Sequence, residues 1–296
     1  MSIPGEKINV YSVPARPART NAHIGALLVD AGKITQEEAD RVMHVQREKG
    51  LRFGDAAVKL GLITPLDIEQ VLSRQFEFPY LIPGTSSLSA DLVTAYTPFD
   101  KNVEVFKAIR SQLMLRWFNM DLGSKHLVIV SPCRKEGRSY FAANLAVVFS
   151  QLGERTLLID ADMRNPCQHT LFNLENRVGL STFLSGRAQM DVIEHIVPLL
   201  DLSIFPAGPV PPNPQELLGR PLFQKLLADL AKEYDVIILD SPAGEANADA
   251  QIIATRAGGA FMVARRHSSP ARAVKDLSTQ LRGNGVTVLG AVINAA

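Results

Sequence analysis

The sequence is poor in cysteine, in net charge and in long apolar runs, and each shortage excludes a class of protein. Its 296 residues include two cysteines, Cys133 and Cys167. They are too few for a disulfide framework or a cysteine metal cluster, so we expect free thiols in a reducing compartment. A formal net charge of +1 predicts no nucleic-acid partner. No apolar run reaches the roughly 18 residues that span a bilayer, and residues 1–20 lack a signal-peptide core. We therefore expect a cytoplasmic protein without direct membrane insertion.

The length and the 46% hydrophobic share suggest about two domains with a large buried core. Residues 1–22 mix Pro, Arg, Ser and Asn without periodicity, which predicts a flexible leader. Residues 84–99 are rich in Pro, Gly, Ser and Thr, which predicts a linker. The predicted domains are therefore residues 23–83 and residues 100–296.

Residues 23–83 contain an internal repeat. Two stretches, HIGALLVDAGKITQEEADRVMHVQ and RFGDAAVKLGLITPLDIEQVLSRQ, align with their glycines and threonines in register. Each copy indicates a short helix ended by glycine and a second helix capped by Thr35 or Thr64. The repeat predicts a small all-helical domain.

This repeat resembles the N-terminal (MshEN-type) domain of type II secretion and pilus-assembly ATPases, whose tandem motif runs RLGxxLxxxG before a second helix ending in Gln. In that family the tandem motif can bind cyclic di-GMP. The resemblance implies ligand contacts from Gly25, Leu28, Arg52 and Gly54. Glycines at helix ends and apolar stripes also serve folding alone, so a packing or docking domain is the alternative.

Residues 129–144, IVSPCRKEGRSYFAAN, place a strand, a Gly-containing turn and a helix start in direct succession. A helix N-terminus offers unpaired N–H groups and a positive dipole end, and Gly137 lets the backbone approach an anion closely. Against G-x-x-x-x-G-K-[ST], the turn keeps the second Gly and Ser139 but has Pro132 and Arg138 for the first Gly and the Lys. We interpret it as a phosphate-binding loop. An ordinary strand-to-helix turn with solvated basic residues is the alternative.

Three aspartates follow predicted buried strands. The run ERTLLIDADMR places Asp160 and Asp162 at a strand end, and YDVIILDSPAG places Asp240 at another. Ligands of open α/β sheets bind at the carboxyl ends of the strands, so we expect the three carboxylates to converge near the phosphate loop. Two more apolar runs, GGAFMVAR and VTVLGAVINAA, complete an α/β pattern. We predict a doubly wound parallel sheet preceded by the small all-helical domain.

Residues 100–296 resemble the cytoplasmic tyrosine-kinase domain of bacterial exopolysaccharide systems, and most of all the EpsG type of chain-length-determinant kinase. The resemblance lies in SPCRKEGRS as Walker A, LLIDADMR as Walker A′, VIILDSP as Walker B, and PAGPVPPNPQELL between the last two. It implies ATP/ADP and Mg²⁺ as cofactors.

The same resemblance assigns roles to single residues. The nucleotide would contact the turn and the helix start, namely Lys135, Glu136, Gly137, Arg138, Ser139 and Tyr140, with Arg138 in the place of the P-loop lysine. Ser139, Asp160 and Asp240 would hold Mg²⁺, directly or through water. Asp162 would help orient the metal or take the tyrosine proton. The implied catalytic residues are therefore Asp160, Asp162 and Arg138.

The resemblance also implies partners. Glu104, Lys107 and Arg110 recur every three residues on a predicted amphipathic helix, similar to the ExxRxxR oligomerisation stripe of these kinases, which implies a homo-oligomer. A solvated helix face is the alternative. These kinases work with a membrane-embedded chain-length-determinant protein, which would recruit the chain to the inner membrane and supply an activating tail. Of the five tyrosines, Tyr11 is the one that we expect to enter another subunit's site.

We predict an autophosphorylating, Mg²⁺- and ATP-dependent protein-tyrosine kinase that regulates exopolysaccharide polymerisation and export under cyclic di-GMP control. A catalytically weak, nucleotide-binding and cyclic di-GMP-sensing assembly subunit is the main alternative, because the guanidinium of Arg138 is bulkier than an ammonium group. A ParA/MinD-like positioning ATPase shares the strand order but needs a lysine where Cys133 stands.

Overall fold

A computed structural model describes residues 24–64, 67–68, 80–81, 83–118, 124–199, 201–245 and 248–295. The chain divides into two compact units, Met1–Phe78 and Pro79–Ala296. The predicted leader, residues 1–22, lies outside the described residues. So does most of the second helix of the second repeat copy.

The first unit contains helices α1 (Ile24–Asp30), α2 (Gln36–Lys49) and α3 (Phe53–Lys59). Its sequence repeat is also a structural repeat. The Thr35 hydroxyl accepts the Glu38 N–H at 3.2 Å while the Glu38 carboxylate accepts the Thr35 N–H at 2.8 Å. Thr64 and Asp67 form the same reciprocal pair at the same two distances. Two helix starts are therefore capped in the same way.

The second unit is built on a seven-stranded sheet of order β3-β4-β2-β5-β1-β6-β7. The strands are β1 (His126–Val130), β2 (Thr156–Asp160), β3 (Glu194–His195), β4 (Leu202–Phe205), β5 (Val236–Asp240), β6 (Gly259–Arg265) and β7 (Thr287–Asn294). Every pairing is parallel except that of β3 with β4. This confirms the predicted α/β fold with a parallel sheet. The sequence did not reveal β3 and β4, because each run is too short to carry a periodicity.

Helices cover both faces of this sheet. They are α4 (Val93–Tyr96), α5 (Lys101–Leu113), α6 (Arg138–Ser150), α7 (Gln168–Leu171), α8 (Leu180–Leu184), α9 (Pro214–Gly219), α10 (Pro221–Glu233), α11 (Asp249–Ala257) and α12 (Ala271–Gly283). A π-helical turn, Met114–Phe118, follows α5, and a 3₁₀ turn, Met190–Val192, precedes β3.

Neighbouring residues of each central strand point to opposite faces and enter two separate cores. Leu157 and Ile159 of β2 pack with α8 to α12, whereas Leu158 packs with α4 to α7. A strand buried on both faces must be apolar throughout, which explains the continuous apolar runs in the sequence. The helix α6 is itself buried on nearly all sides, because α4 and α5 cover its outer surface.

Residues 84–99 form part of the second unit, and the predicted linker and the predicted domain start at residue 100 are therefore wrong. Asn144 of α6 accepts the N–H of Thr94 at 3.0 Å and donates to the Asp91 carbonyl at 2.9 Å. Leu92 and Ala95 have no exposed surface. The Pro, Gly and Ser content suits the turns of this segment, and its few apolar residues dock it on α6.

Candidate active site

The carboxyl ends of β1, β2 and β5 meet at one edge of the sheet and place the predicted site residues there. Asp160 lies opposite Asp240 in the register of β2 and β5, and Ile129 of β1 lies opposite Asp240 on its other side. A cavity of about 290 Å³ opens at this edge. Its lining includes Arg134, Lys135, Arg138, Ser139, Asp162 and Arg164.

The turn between β1 and α6 has the backbone form of an anion-binding loop. Lys135 and Gly137 have positive φ angles of 59° and 88°. A Cβ atom on Gly137 would lie 2.3 Å from Nδ2 of Asn294, so only glycine fits there. The N–H groups of the first turn of α6 have no acceptor within their helix and face the same turn. The arrangement is suited to a phosphate group.

Glu136 stabilises this turn through hydrogen bonds on the side of the protein interior. Its side chain is buried, its Oε2 accepts the Cys133 N–H at 2.8 Å, and its Oε1 accepts the hydroxyl of Ser269. Its carbonyl accepts Nδ2 of Asn294 at 3.1 Å. The Glu136 carboxylate faces the protein interior, so the predicted nucleotide contact, which stays a prediction, would come from the backbone of this residue.

The ring of Tyr140 also faces the protein, where it packs edge-on against Phe106 with the ring centroids 6.2 Å apart. Burial raises the pKa of its phenol. Tyr140 can therefore contribute its backbone, but not its ring, to the phosphate turn.

Arg138 lies between the carboxylates, with 9% of its side chain exposed. Its Nη1 donates to Oγ of Ser131 at 2.7 Å and its Nη2 to Oδ2 of Asp162 at 3.2 Å. Its Nε lies 3.4 Å from Oδ1 of Asp240. In this structure the guanidinium thus neutralises the aspartates, and only its edge reaches the cavity.

Asp160 and Asp240 are fully buried and share one donor residue, Gln168. Oδ2 of Asp160 accepts the N–H groups of Cys167 and Gln168, both at 3.0 Å, and Oδ2 of Asp240 accepts Nε2 of Gln168 at 2.8 Å. Burial, and then the charge of Asp240, raise the pKa of Asp160 well above its usual value. Burial also raises the pKa of Asp240, although the Arg138 charge opposes it.

Two buried oxygens of this pair fit a cation. Among the described residues, Oδ1 of Asp160 has no hydrogen-bond partner, and Oδ1 of Asp240 has none besides its ion pair with Nε of Arg138 at 3.4 Å. Buried acceptors without hydrogen bonds are costly. The described residues contain no cluster of three His, Cys, Asp or Glu side chains able to hold a metal. Mg²⁺ commonly takes one or two carboxylates and completes its shell with water and substrate phosphates. The donors therefore suit Mg²⁺ that arrives with a nucleotide.

Sequence reasoning missed Gln168 and Asp249. Gln168 also donates to the Ser139 carbonyl at 3.1 Å, so it joins the phosphate loop to both buried aspartates. Asp249, which is 1% exposed, accepts Nε of Arg164 at 2.6 Å and Nη2 at 3.2 Å. Arg164 ends the LLIDADMR motif, but Asp249 looks in the sequence like an ordinary acidic residue at a helix start.

Asp162 is held by the loop that carries Arg164. Its Oδ1 accepts the N–H groups of Arg164 and Asn165 at 3.2 and 3.0 Å. The Arg164–Asp249 ion pair ties this loop to the start of α11, beyond the Walker B strand β5. Arg164 is thus a positioning residue for Asp162.

The predicted oligomerisation stripe makes contacts within the chain. Nζ of Lys107 lies 2.8 Å from Oε1 of Glu104 and donates to the Pro98 carbonyl at 2.6 Å. Nη1 of Arg110 donates to the Val148 carbonyl at 2.9 Å. Both cations therefore help to hold α5 against the unit. Glu104 remains largely exposed.

The residues predicted to contact cyclic di-GMP serve mainly in packing. Leu28 has no exposed surface in this structure, and its predicted ligand contact stays a prediction. A Cβ on Gly54 would lie 2.8 Å from Cδ1 of Ile68, and one on Gly25 would lie 3.1 Å from the Phe53 ring. Arg52 is exposed. None of the helices in the described ranges is long and apolar enough to cross a membrane.

Comparisons with known proteins agree with this geometry. No family model matches the chain. Tyrosine-protein kinase YwqD of Bacillus subtilis is 35% identical over 209 residues, which cover 71% of this chain and 87% of YwqD. The crystal structure of the chimerical protein CapA2B2 superposes with a TM-score of 0.65 at 33% identity, covering 76% of this chain and 98% of that one.

The kinase domain of Escherichia coli tyrosine kinase ETK also superposes with a TM-score of 0.65, at 32% identity over 69% of this chain and 80% of that chain. The likeness to YwqD extends over most of the length of both proteins. With its parallel sheet, its phosphate loop and its aspartates at the strand ends, the chain belongs to the bacterial tyrosine-protein kinases.

Proposed function

We propose that the chain is a Mg²⁺- and ATP-dependent protein-tyrosine kinase that phosphorylates itself. The observation that carries the proposal is that Arg138, at the phosphate turn, pairs with Asp162 and Asp240, and that Asp160 lies beside Asp240 in the sheet. Phosphoryl transfer asks a protein mainly for positioning and charge neutralisation. Both are supplied at one edge of the sheet by the backbone amides of the turn, the buried carboxylates and the Arg138 cation.

The residues divide these tasks by position. The amides of residues 135–140 would hold the phosphates, while Ser139, Asp160 and Asp240 would hold Mg²⁺, which neutralises phosphate charge when bound. Oδ1 of Asp162 already accepts two N–H groups, so Oδ2 is the atom that would take the tyrosine proton. Arg138 would then turn from this oxygen toward the β/γ-phosphates.

We also propose the cellular setting that the family implies. The kinase would act in exopolysaccharide polymerisation and export, recruited to the inner membrane by a membrane chain-length-determinant protein. A homo-oligomer joined through Glu104 and its neighbours on α5 would bring one copy's tyrosine to another copy's site. Membership of the bacterial tyrosine-protein kinases supports this setting.

Incubation of the purified chain with Mg-ATP, followed by mass spectrometry for phosphotyrosine, tests the kinase proposal. We expect phosphotyrosine with Mg-ATP and none after chelation of the metal. The Asp160→Asn variant should lose the modification, because it removes a metal ligand without changing side-chain size. Absence of phosphotyrosine, even with the cytoplasmic tail of a chain-length-determinant protein present, would reject kinase activity.

A second candidate function is a nucleotide-binding assembly subunit with weak catalysis that senses cyclic di-GMP. The triple engagement of Arg138 by Ser131, Asp162 and Asp240 favours weak catalysis, because the cation must leave two carboxylates to reach a phosphate. Calorimetry with cyclic di-GMP tests the sensing, with Arg52→Ala as the variant and Arg47→Ala as the control. No heat at high ligand concentration would leave the helical repeat as a docking domain.

A further inference from the structure

Two exposed valines lie on adjoining turns of the kinase unit. Val178 and Val210 expose 50% and 61% of their surface. Val178 precedes α8, and Val210 follows β4 in a turn rich in proline. We call residues 176–181 and 206–210 together the valine platform. Their apolar side chains contribute little to either core, so they are available to contact a partner.

Hydrogen bonds make the platform rigid. The Asn176 side chain donates to the Gly208 carbonyl at 3.0 Å and accepts the Gly208 N–H at 2.7 Å. The Ser181 hydroxyl donates to the Pro209 carbonyl at 2.7 Å. A Cβ on Gly179 would lie 2.2 Å from the Pro206 carbonyl oxygen, so the two turns are in the closest contact. A rigid surface binds a peptide with little further loss of entropy.

The platform borders the catalytic aspartates. Strand β4 pairs with β2, and Phe205 lies opposite Ile159, so the chain leaves β4 at the level of Asp160. Glu216 lies in α9, which follows the platform, and its negative charge helps to raise the pKa of Arg164. The start of the platform at residue 206 therefore adjoins the loop that carries Asp160 and Asp162.

The four tyrosines that the structure describes are committed to the fold. The Tyr96 hydroxyl donates to the Leu88 carbonyl at 2.8 Å, and the Tyr80 hydroxyl is buried. Tyr140 and Tyr234 pack against the two cores, and burial raises the pKa of both phenols. The remaining tyrosine, Tyr11, lies in the sequence INVYSVP, between apolar residues.

We propose that the valine platform binds residues 8–14 of a second copy of the chain and presents Tyr11 to Asp162. In an extended peptide Tyr11 and Val13 lie on the same face, so Val13 meets the valines while Tyr11 enters the cavity. The step rests on the proposed kinase function: the phenol oxygen bonds to the γ-phosphorus as the bond to ADP breaks, and the phenol proton passes to Asp162.

Aspartate substitutions in the full chain test the platform. The double variant Val178→Asp/Val210→Asp places two charges where the peptide would lie. Val197→Asp is a matched control, because Val197 is 79% exposed in the turn before β4, at the opposite edge of the sheet. With Mg-ATP we expect Tyr11 phosphorylation to fall at least tenfold in the double variant and to stay within twofold in the control. Unchanged Tyr11 phosphorylation in the double variant would overturn the proposal.

A binding measurement separates this proposal from the kinase function. A fluorescein-labelled peptide of residues 5–17 is titrated with each full chain in the presence of Mg-ADP and followed by anisotropy. We expect binding to the wild type and to Val197→Asp, and at least tenfold weaker binding to the double variant. Equal binding to all three, or none to the wild type, overturns the platform. Selective binding without any phosphotyrosine would instead reject only the kinase function. A Val178→Ser/Val210→Ser pair repeats the test should the aspartates disturb folding.

Discussion

Arg138 is one cation that compensates two buried carboxylates, which makes it important for stability as well as for chemistry. Removal of one partner of a buried ion pair typically costs about 3–5 kcal/mol, because a buried charge is left uncompensated. We expect Arg138→Met to lower the free energy of unfolding at pH 7 by about 3 kcal/mol, measured by urea denaturation. The exposed Arg134→Met should change it by less than about 0.5 kcal/mol. If the two variants unfold at the same urea concentration, Asp162 and Asp240 need no compensating charge.

Asp249 contacts neither the phosphate turn nor the buried aspartates directly, yet it determines where the Asp162 loop lies. We expect Asp249→Asn to reduce the phosphotyrosine-forming rate about tenfold, because an amide cannot accept both guanidinium donors of Arg164. The KM for ATP should change less than twofold. Asp229→Asn, which breaks the exposed pair with Lys232, is the control. A change in KM alone would assign Asp249 to nucleotide binding instead.

At the scale of elements, α4 and the residues before it depend on one buried amide. Asn144 bonds with both Thr94 and Asp91, so its removal leaves buried backbone groups without partners. Such losses cost about 1–3 kcal/mol. We expect Asn144→Ala to lower the unfolding free energy by that amount, measured in urea beside the exposed Gln215→Ala. If both variants unfold alike, residues 84–99 are not docked on α6.

The start of the second helix in the second repeat copy should be sensitive to acid. The Lys33 ammonium and the Thr64 cap lower the pKa of Asp67 from 3.8 to about 2. A lowered carboxyl pKa contributes stability that is present above about pH 4 and is lost as the pH falls toward 2. We expect Asp67→Asn to be less stable than the wild type at pH 6 and equal to it at pH 2, by circular dichroism during heating. Asp55→Asn should show no such convergence; a difference for Asp67→Asn that persists at pH 2 would contradict the ion pair.

The central strands and their terminal aspartates could be predicted because strands buried on both faces read as continuous apolar runs that end in a charge. The docking of residues 84–99 could not, since it depends on Asn144, whose partners lie about 50 residues away in the chain. The side-chain directions of Glu136 and Arg138 could not be predicted from the sequence either. A motif fixes the path of the backbone, whereas these rotamers depend on Ser269, which follows β6, on Asp162, which follows β2, and on Asp240 of β5.

At the scale of the whole molecule, phosphorylation in trans predicts a dependence on concentration. We expect a mixture of Tyr11→Phe, which keeps its site, with Asp162→Asn, which keeps its tyrosine, to yield phosphate on Tyr11 of the second variant. The initial rate should rise with the square of total protein at low concentration. Mass spectrometry distinguishes the two chains by mass. Phosphate on Tyr11 in wild type but never in the mixture would indicate transfer within one chain.

The hydrogen bond from Asn294 to Glu136 has a consequence for biosynthesis. The two residues are 158 positions apart, so the ribosome makes the phosphate turn long before the strand that buttresses it. At 5–20 residues per second this interval is on the order of ten seconds. A nascent chain therefore cannot complete the support of its phosphate turn until Asn294 has been synthesised.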